Sequence, residues 1–166
     1  EEGRYPENIG IVLWSGSNMR SHGQCIAEFL YLMGIKPKYQ SGSMRVNGLE
    51  VIPLAELKRP RIDVTARISG LFRDSMPSVA ELLDKAVLLA ASLDEKDEDN
   101  YVKKHITAES AELEESEGMT KEEAWRQAAF RIFGDQQGVY GAGVAALLEA
   151  KNWDTIDDIA DVYVRW

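Results

Sequence analysis

The chain has 166 residues, 45% hydrophobic and 28% charged, with a formal net charge of −9. That length suits one domain with a core large enough to stand without staples, and the single cysteine, Cys25, excludes an intrachain disulfide framework and a cysteine-rich zinc site. No stretch approaches the roughly 18 apolar residues of a membrane span, and nothing near Glu1 resembles a signal peptide, so the expected location is cytoplasmic. Twelve of the acidic residues fall between positions 94 and 123, against four basic ones, and the remainder of the chain is almost neutral. No basic stripe follows a nucleic-acid backbone, which argues against a nucleic-acid partner. The acidic segment reads as a solvated helical face in preference to a docking surface. Both ends look cut: the chain opens on Glu1 and closes on Trp166 within a helical pattern, as expected of a single domain, residues 1–166, excised from a longer protein.

In chain order, Ile9-Gly10-Ile11-Val12-Leu13-Trp14 is a continuous apolar run, the pattern of a strand covered on both faces. A polar loop over 15–21 follows. Ser21 and Gln24 have capping-box spacing before a helix with Ile26, Phe29, Leu30 and Met33 on one face and Gly34 as its stop. Residues 35–39 read as a short strand, Asn47-Gly48 as a hairpin turn, and residues 54–57 as a helical turn. Alternation over 62–70 sets Ile62, Val64, Ala66 and Ile68 on one strand face and Asp63, Thr65, Arg67 and Ser69 on the other. A loop over 71–77 leads to a helix capped by Ser78 and Glu81, with Val79, Leu82, Leu83, Ala86, Leu89, Ala90 and Leu93 on its apolar side. Asp99 can cap a helix over 100–117 that ends at Gly118; Thr120 and Glu123 cap the next, which carries Trp125, Ala128, Ala129 and Ile132 to Gly134. A glycine-rich loop over 134–143 and two short helices close the chain. The fold expected is α/β, Rossmann-like βαβ units with a short parallel sheet over about 5–93, then a helical part over about 94–166.

Ligands of open α/β sheets sit beyond the carboxyl ends of the strands. The loops leaving those ends hold Asn18, Arg20 and His22 on one side and Arg73 and Asp74 on the other, with Arg67 and Ser69 just before. Cations, donors and one imidazole suit an anionic or carboxylate-bearing ligand. No nucleotide signature is present: Ser15-Gly16-Ser17 is not a dinucleotide fingerprint and no Gly-Lys-Ser/Thr closes a phosphate loop. His22 reads as a general base, metal ligand or carboxylate donor, or as a helix-start histidine bonded to backbone or water. His105 reads as an exposed helix histidine, and two histidines so far apart do not define a metal site, leaving any metal ligands unknown. Arg67, Arg73 and Asp74 fit a structural ion-pair cluster or a ligand site equally. The loop Gly138-x-Tyr140-Gly141-x-Gly143 reads as a tight connection that can also let backbone approach a ligand, Cys25 as a packed residue, and the four tryptophans as core or interface anchors.

Several ordered blocks carry a resemblance: Tyr5-Pro6-Glu7-Asn8-Ile9-Gly10, Met19-Arg20-Ser21-His22-Gly23, Val51-Ile52-Pro53-Leu54, Arg59-Pro60-Arg61-Ile62-Asp63-Val64-Thr65, Ile68-Ser69-Gly70-Leu71-Phe72-Arg73-Asp74, Arg131-Ile132-Phe133-Gly134 and Tyr140-Gly141-Ala142-Gly143. Over nearly its whole length the chain resembles the large-subunit family shared by ATP-dependent cobaltochelatase and magnesium chelatase, and the stretches Arg20 to Gly23, Asp63 to Gly70 and Tyr140 to Gly143 look more like the cobalt branch. Gln24 and Cys25 stand where the family leads one to expect acidic residues, which takes carboxylate ligands away from this helix start. The resemblance implies insertion of a divalent metal substrate, cobalt or alternatively magnesium, into a tetrapyrrole in cobalamin biosynthesis. It implies that ATP is hydrolysed on separate AAA+ partner subunits, in keeping with the missing phosphate loop. That chemistry needs bases, metal-delivering ligands and cations for the macrocycle's carboxylates; by residue type and loop position Arg67 and Arg73 suit the last role, within an expected substrate site that also includes Arg20, Asp74 and Tyr140, and His22 suits either of the first two. A non-catalytic structural or ATPase-docking role, or the magnesium-protoporphyrin branch, are the alternatives, and an isolated fragment is expected to be inactive.

Overall fold

The computed structural model describes residues 3–136, 138–141 and 143–165; Glu1, Ala142 and Trp166, used above, lie outside the described residues. The elements run β1 (Asn8–Leu13), α1 (Ser15–Arg20), α2 (Gln24–Leu32), β2 (Ile35–Tyr39), β3 (Val46–Val51), α3 (Leu54–Leu57), β4 (Asp63–Ile68), α4 (Gly70–Ser75), α5 (Pro77–Ala91), α6 (Tyr101–Glu117), α7 (Lys121–Ala128), β5 (Ile132–Gly134), α8 (Val144–Glu149) and α9 (Ile156–Arg165). β1, β4 and β5 form a parallel sheet in the order β1-β4-β5, and β2 and β3 an antiparallel pair. The class is α/β, as the alternation of patterns implied.

The alternation in β4 decides the core. Val64, Ala66 and Ile68 are buried with Leu13 of β1, and α2 and α5 pack Phe29, Leu30, Leu83, Ala86, Val87 and Ala90 over them. Cys25 is half-buried and rests against this core, as a small packed residue should. β1 differs from expectation: it is an edge strand, and Asn8, Gly10 and Val12 face outward, so its apolar run is covered on one face. The polar segment after β1 and the segment after β4 are short helices, α1 and α4, instead of loops; six residues are too few to show a 3.6-residue period. Ser69 caps α4 by accepting from Phe72 N–H at 3.2 Å.

Other local readings shift by a residue or by one element. Ser21 Oγ accepts from Gln24 N–H at 3.3 Å, but the N-cap of α2 is Gly23, at φ 85°. Asn47-Gly48 lies inside β3 with Gly48 opposite Lys38; the reversal is made earlier, where Gln40 and Arg45 bond across Gly42 at φ 72°. Pro77 opens α5 in place of a Ser78 cap, consistent with proline's missing N–H at a first helical position. Asn100, not Asp99, caps α6, and Gly118 ends it in the left-handed conformation. The Thr120–Glu123 capping box is complete. Ile132 to Gly134, read as the end of a helix, forms β5 and pairs with Ala66–Ile68, so the helical second part also supplies the third strand. Of the tryptophans, Trp14 and Trp153 are exposed and not core anchors.

One buried arginine joins four segments. Arg61 is fully buried, and its Nε and Nη2 donate to the Glu95 carboxylate at 2.7 and 2.9 Å. The rest of its fork donates to the carbonyls of Gly34 (2.8 Å), Met33 (3.2 Å) and Ile52 (2.9 Å). Gly34 is required there: its φ is 70°, and a Cβ would collide with the Arg61 guanidinium.

Candidate functional site

The carboxyl ends of β1 and β4 open on a cavity of about 290 Å³ lined by Trp14, Ser15, Gly16, Ser69, Gly70, Leu71, Tyr140 and Gly141. α1 and α4 start at those ends, and Ser15 Oγ and Ser75 Oγ, 2.9 Å apart, hold them together. The glycine-rich loop forms the third wall. It comes so close that a Cβ on Gly70 would run into the Val139 carbonyl and the Tyr140 ring.

Arg73 positions that loop. Its Nη1 donates to the carbonyls of Asp135 and Gln136, both at 2.7 Å, while Nε and Nη2 fork onto Asp74 at 2.7 and 2.9 Å. Tyr140 Oη donates to Asp74 Oδ2 at 2.5 Å. The hydrogen bonds from Arg73 and then Tyr140 hold the Asp74 carboxyl down to about 2, and the same contacts push the Arg73 guanidinium and the Tyr140 phenol up. Arg67, half-buried, meets Asp135 at 3.4 Å. Four of the expected residues, Arg67, Arg73, Asp74 and Tyr140, are therefore linked through the loop. Of the expected residues only Tyr140 lines the cavity; Arg67, Arg73 and Asp74 are tied to it through the loop, and Arg20 and His22 lie exposed at the end of α1, with His22 at φ 55°. Among the described residues no group of three or more His, Cys, Asp or Glu side chains is placed to hold a metal ion.

A second charged cluster lies at the opposite end of β4. His105, expected to be an exposed helix residue, is instead held between two carboxylates, Nδ1 2.9 Å from Asp63 Oδ2 and Nε2 3.2 Å from Glu7 Oε2. Arg131 forks onto the buried Asp63 at 2.8 and 3.1 Å and reaches Glu109 at 3.2 Å. Burial opposes the Arg131 cation, but Asp63 and then Glu109 outweigh it and raise its pKa. Lys104, aided by His105, lowers the Glu7 carboxyl. A charged residue set within the apolar start of β4 was the signal in the sequence for this cluster.

These features define a parallel α/β domain with a ligand-sized opening at its strand ends. The chain belongs to the CobN/magnesium chelatase family, whose model matches residues 1–166. It is 54% identical over its whole length to an uncharacterized protein of Methanocaldococcus jannaschii and 45% identical to the aerobic cobaltochelatase subunit CobN of a Sinorhizobium species. It covers 13% of the length of each. A solved structure described as the catalytic subunit of cobaltochelatase from Mycobacterium tuberculosis superposes with a TM-score of 0.80 at 46% identity, over 99% of this chain and 13% of that one. No helix among the described residues is long and apolar enough to cross a membrane.

Proposed function

We propose that this chain is one domain of the tetrapyrrole-holding subunit of an ATP-dependent, cytoplasmic chelatase, and that the metal it inserts is cobalt, into a corrinoid precursor of cobalamin. The observation that carries this reading is the 46% identity and common fold with the catalytic subunit of a cobaltochelatase. The Asp63-to-Gly70, Arg20-to-Gly23 and Tyr140-to-Gly143 blocks favour cobalt over magnesium. ATP is hydrolysed on AAA+ partner subunits and not here.

In this reading the strand-end cavity takes one edge of the macrocycle, since about 290 Å³ lies at the low end of small-molecule sites. Tyr140 and Trp14 flank that edge. Arg67 and Arg73 bind peripheral carboxylates, for which the planar fork of arginine is suited. Arg73 already holds Asp74, so a ligand carboxylate has to share or displace that partner, and the loop carrying Tyr140 moves with it. Arg20 meets the ligand from α1, and His22 accepts a pyrrolic proton or passes on the metal.

The test is spectral titration of the full-length subunit with a corrinoid and with a porphyrin. The corrinoid should bind more tightly, and Arg67→Ala and Arg73→Ala should each weaken it about tenfold or more, the loss of one charge-assisted contact. Unchanged binding in both variants would sink the assignment. A second reading, a docking domain, is favoured by the exposed acidic face of α6, including Glu112, Glu115 and Glu117. Reversing those charges should then disrupt assembly with the ATPase subunits while leaving titration intact.

A further inference from the structure

Asp135 touches both arginines at the end of β4. Its carbonyl accepts from Arg73 Nη1 at 2.7 Å, and its Oδ1 lies 3.4 Å from Arg67 Nη2. β5 delivers it there: Phe133 pairs with Arg67 and Gly134 with Ile68, and Asp135 follows directly. The approach has no slack, since a Cβ on Gly134 would lie 2.8 Å from the Ile68 side chain and 3.1 Å from its carbonyl. The Asp135 side chain is 7% exposed and that of Arg67 30%, so the carboxylate meets the guanidinium from the protein side.

This pair is unlike the settled one at the other end of the strand. Asp63 uses both oxygens on Arg131, at 2.8 and 3.1 Å. Asp135 reaches Arg67 through one oxygen, beyond the about 2.7–2.9 Å of a tight charge-assisted bond. Its Oδ2 is buried with no partner among the described residues. Buried carboxylate oxygens are normally bonded, and an exception calls for a reason.

We propose that the Asp135 carboxylate is a positioning residue for Arg67. It restrains the guanidinium at the strand end, and the looseness of the contact leaves the fork able to turn onto a ligand carboxylate. The inference rests on the reading that Arg67 binds a carboxylate of the macrocycle. One residue thus serves two ends: its carbonyl fixes the loop through Arg73, and its carboxylate restrains Arg67. A side chain restrained in advance loses less rotamer freedom on binding than one that swings in water. Asp74, forked tightly by Arg73, has to be shared or displaced; Asp135 does not.

Asp135→Ala in the full-length subunit removes the carboxylate and leaves the carbonyl that Arg73 holds. In spectral titration with a corrinoid bearing peripheral carboxylates it should weaken binding about tenfold, as Arg67→Ala does. The double variant should bind no more weakly than Arg67→Ala alone. Asp135→Asn fills the same space and keeps an oxygen to accept from Arg67, so it should fall between the wild type and Asp135→Ala, and it carries the test if the alanine variant folds poorly. Unchanged binding in the Asp135 variants overturns the proposal while Arg67→Ala still weakens it. Tighter binding also overturns it, making Asp135 a competitor of the ligand. So does a double variant weaker than Arg67→Ala, the result that a general structural role gives. Unchanged binding in Arg67→Ala itself brings down the reading of the site, and this inference with it.

Discussion

Arg61 and Arg73 both fork onto a neighbouring carboxylate and both reach backbone carbonyls, yet they do different work. Arg61 is fully buried, and its carboxylate partner, Glu95, is 16% exposed; the pair holds α2, the β2–β3 hairpin and the turn before α6 in one arrangement. Arg73 is 24% exposed and Asp74 36%, at the mouth of a cavity, and what they hold is a glycine-rich loop. The same chemistry is architecture where water is excluded and every donor is used. It is an adjustable clasp where water competes for each bond. Burial, not the residue pair, separates the two roles.

Substitutions can break this contrast. Arg61→Ala should have the largest effect, about 3–5 kcal/mol lost in urea unfolding, because Glu95 and three carbonyls lose their donor inside the protein. Arg61→Lys should recover little of it, having a point charge where a planar fork is needed. Asp63→Asn should come next, at about 2–3 kcal/mol, since Arg131 keeps Glu109 but loses its buried partner. Thr120→Ala should cost about 1 kcal/mol through the lost capping box of α7. Arg73→Ala should leave the urea unfolding midpoint almost unchanged while hydrogen exchange quickens in the loop it holds.

The smallest effect is a matter of pH. Asp74 titrates at about 2 in the folded protein against an ordinary 3.8. Its stabilising contribution is therefore complete above the ordinary value and disappears as the pH falls through about 2. Following the Asp74 carboxyl by NMR should show this low titration, and Arg73→Ala should return it toward the ordinary value. An unmoved titration would mean that Arg73 does not hold this carboxylate.

What could be read in the sequence was whatever a single segment decides by itself. β4 announced its two faces through strict alternation, α2 its buried stripe and its glycine stop, and α7 its capping box. β5 escaped because three residues carry no period, and Ile132 happens to continue the spacing of Trp125, Ala128 and Ala129. Arg67, Arg73 and Asp74 were legible by type and by nearness to a strand end, and Tyr140 only through its glycine-rich loop, although their mutual bonds were not. His105 was misread because Asp63 and Glu7 reach it from 42 and 98 positions away, and no local pattern records such partners.

The late arrival of β5 has a consequence for synthesis on the ribosome. β1 and β4 can meet early, but the strand that completes the sheet is made roughly sixty residues after β4, beyond α5 and the acidic α6–α7 hairpin. Until then one edge of β4 presents unpaired backbone groups to its surroundings, and Asp63 waits for Arg131. The nascent domain thus passes through a sticky interval that ends only when β5 docks, and the dense negative charge made just before it helps keep neighbouring chains apart during that interval.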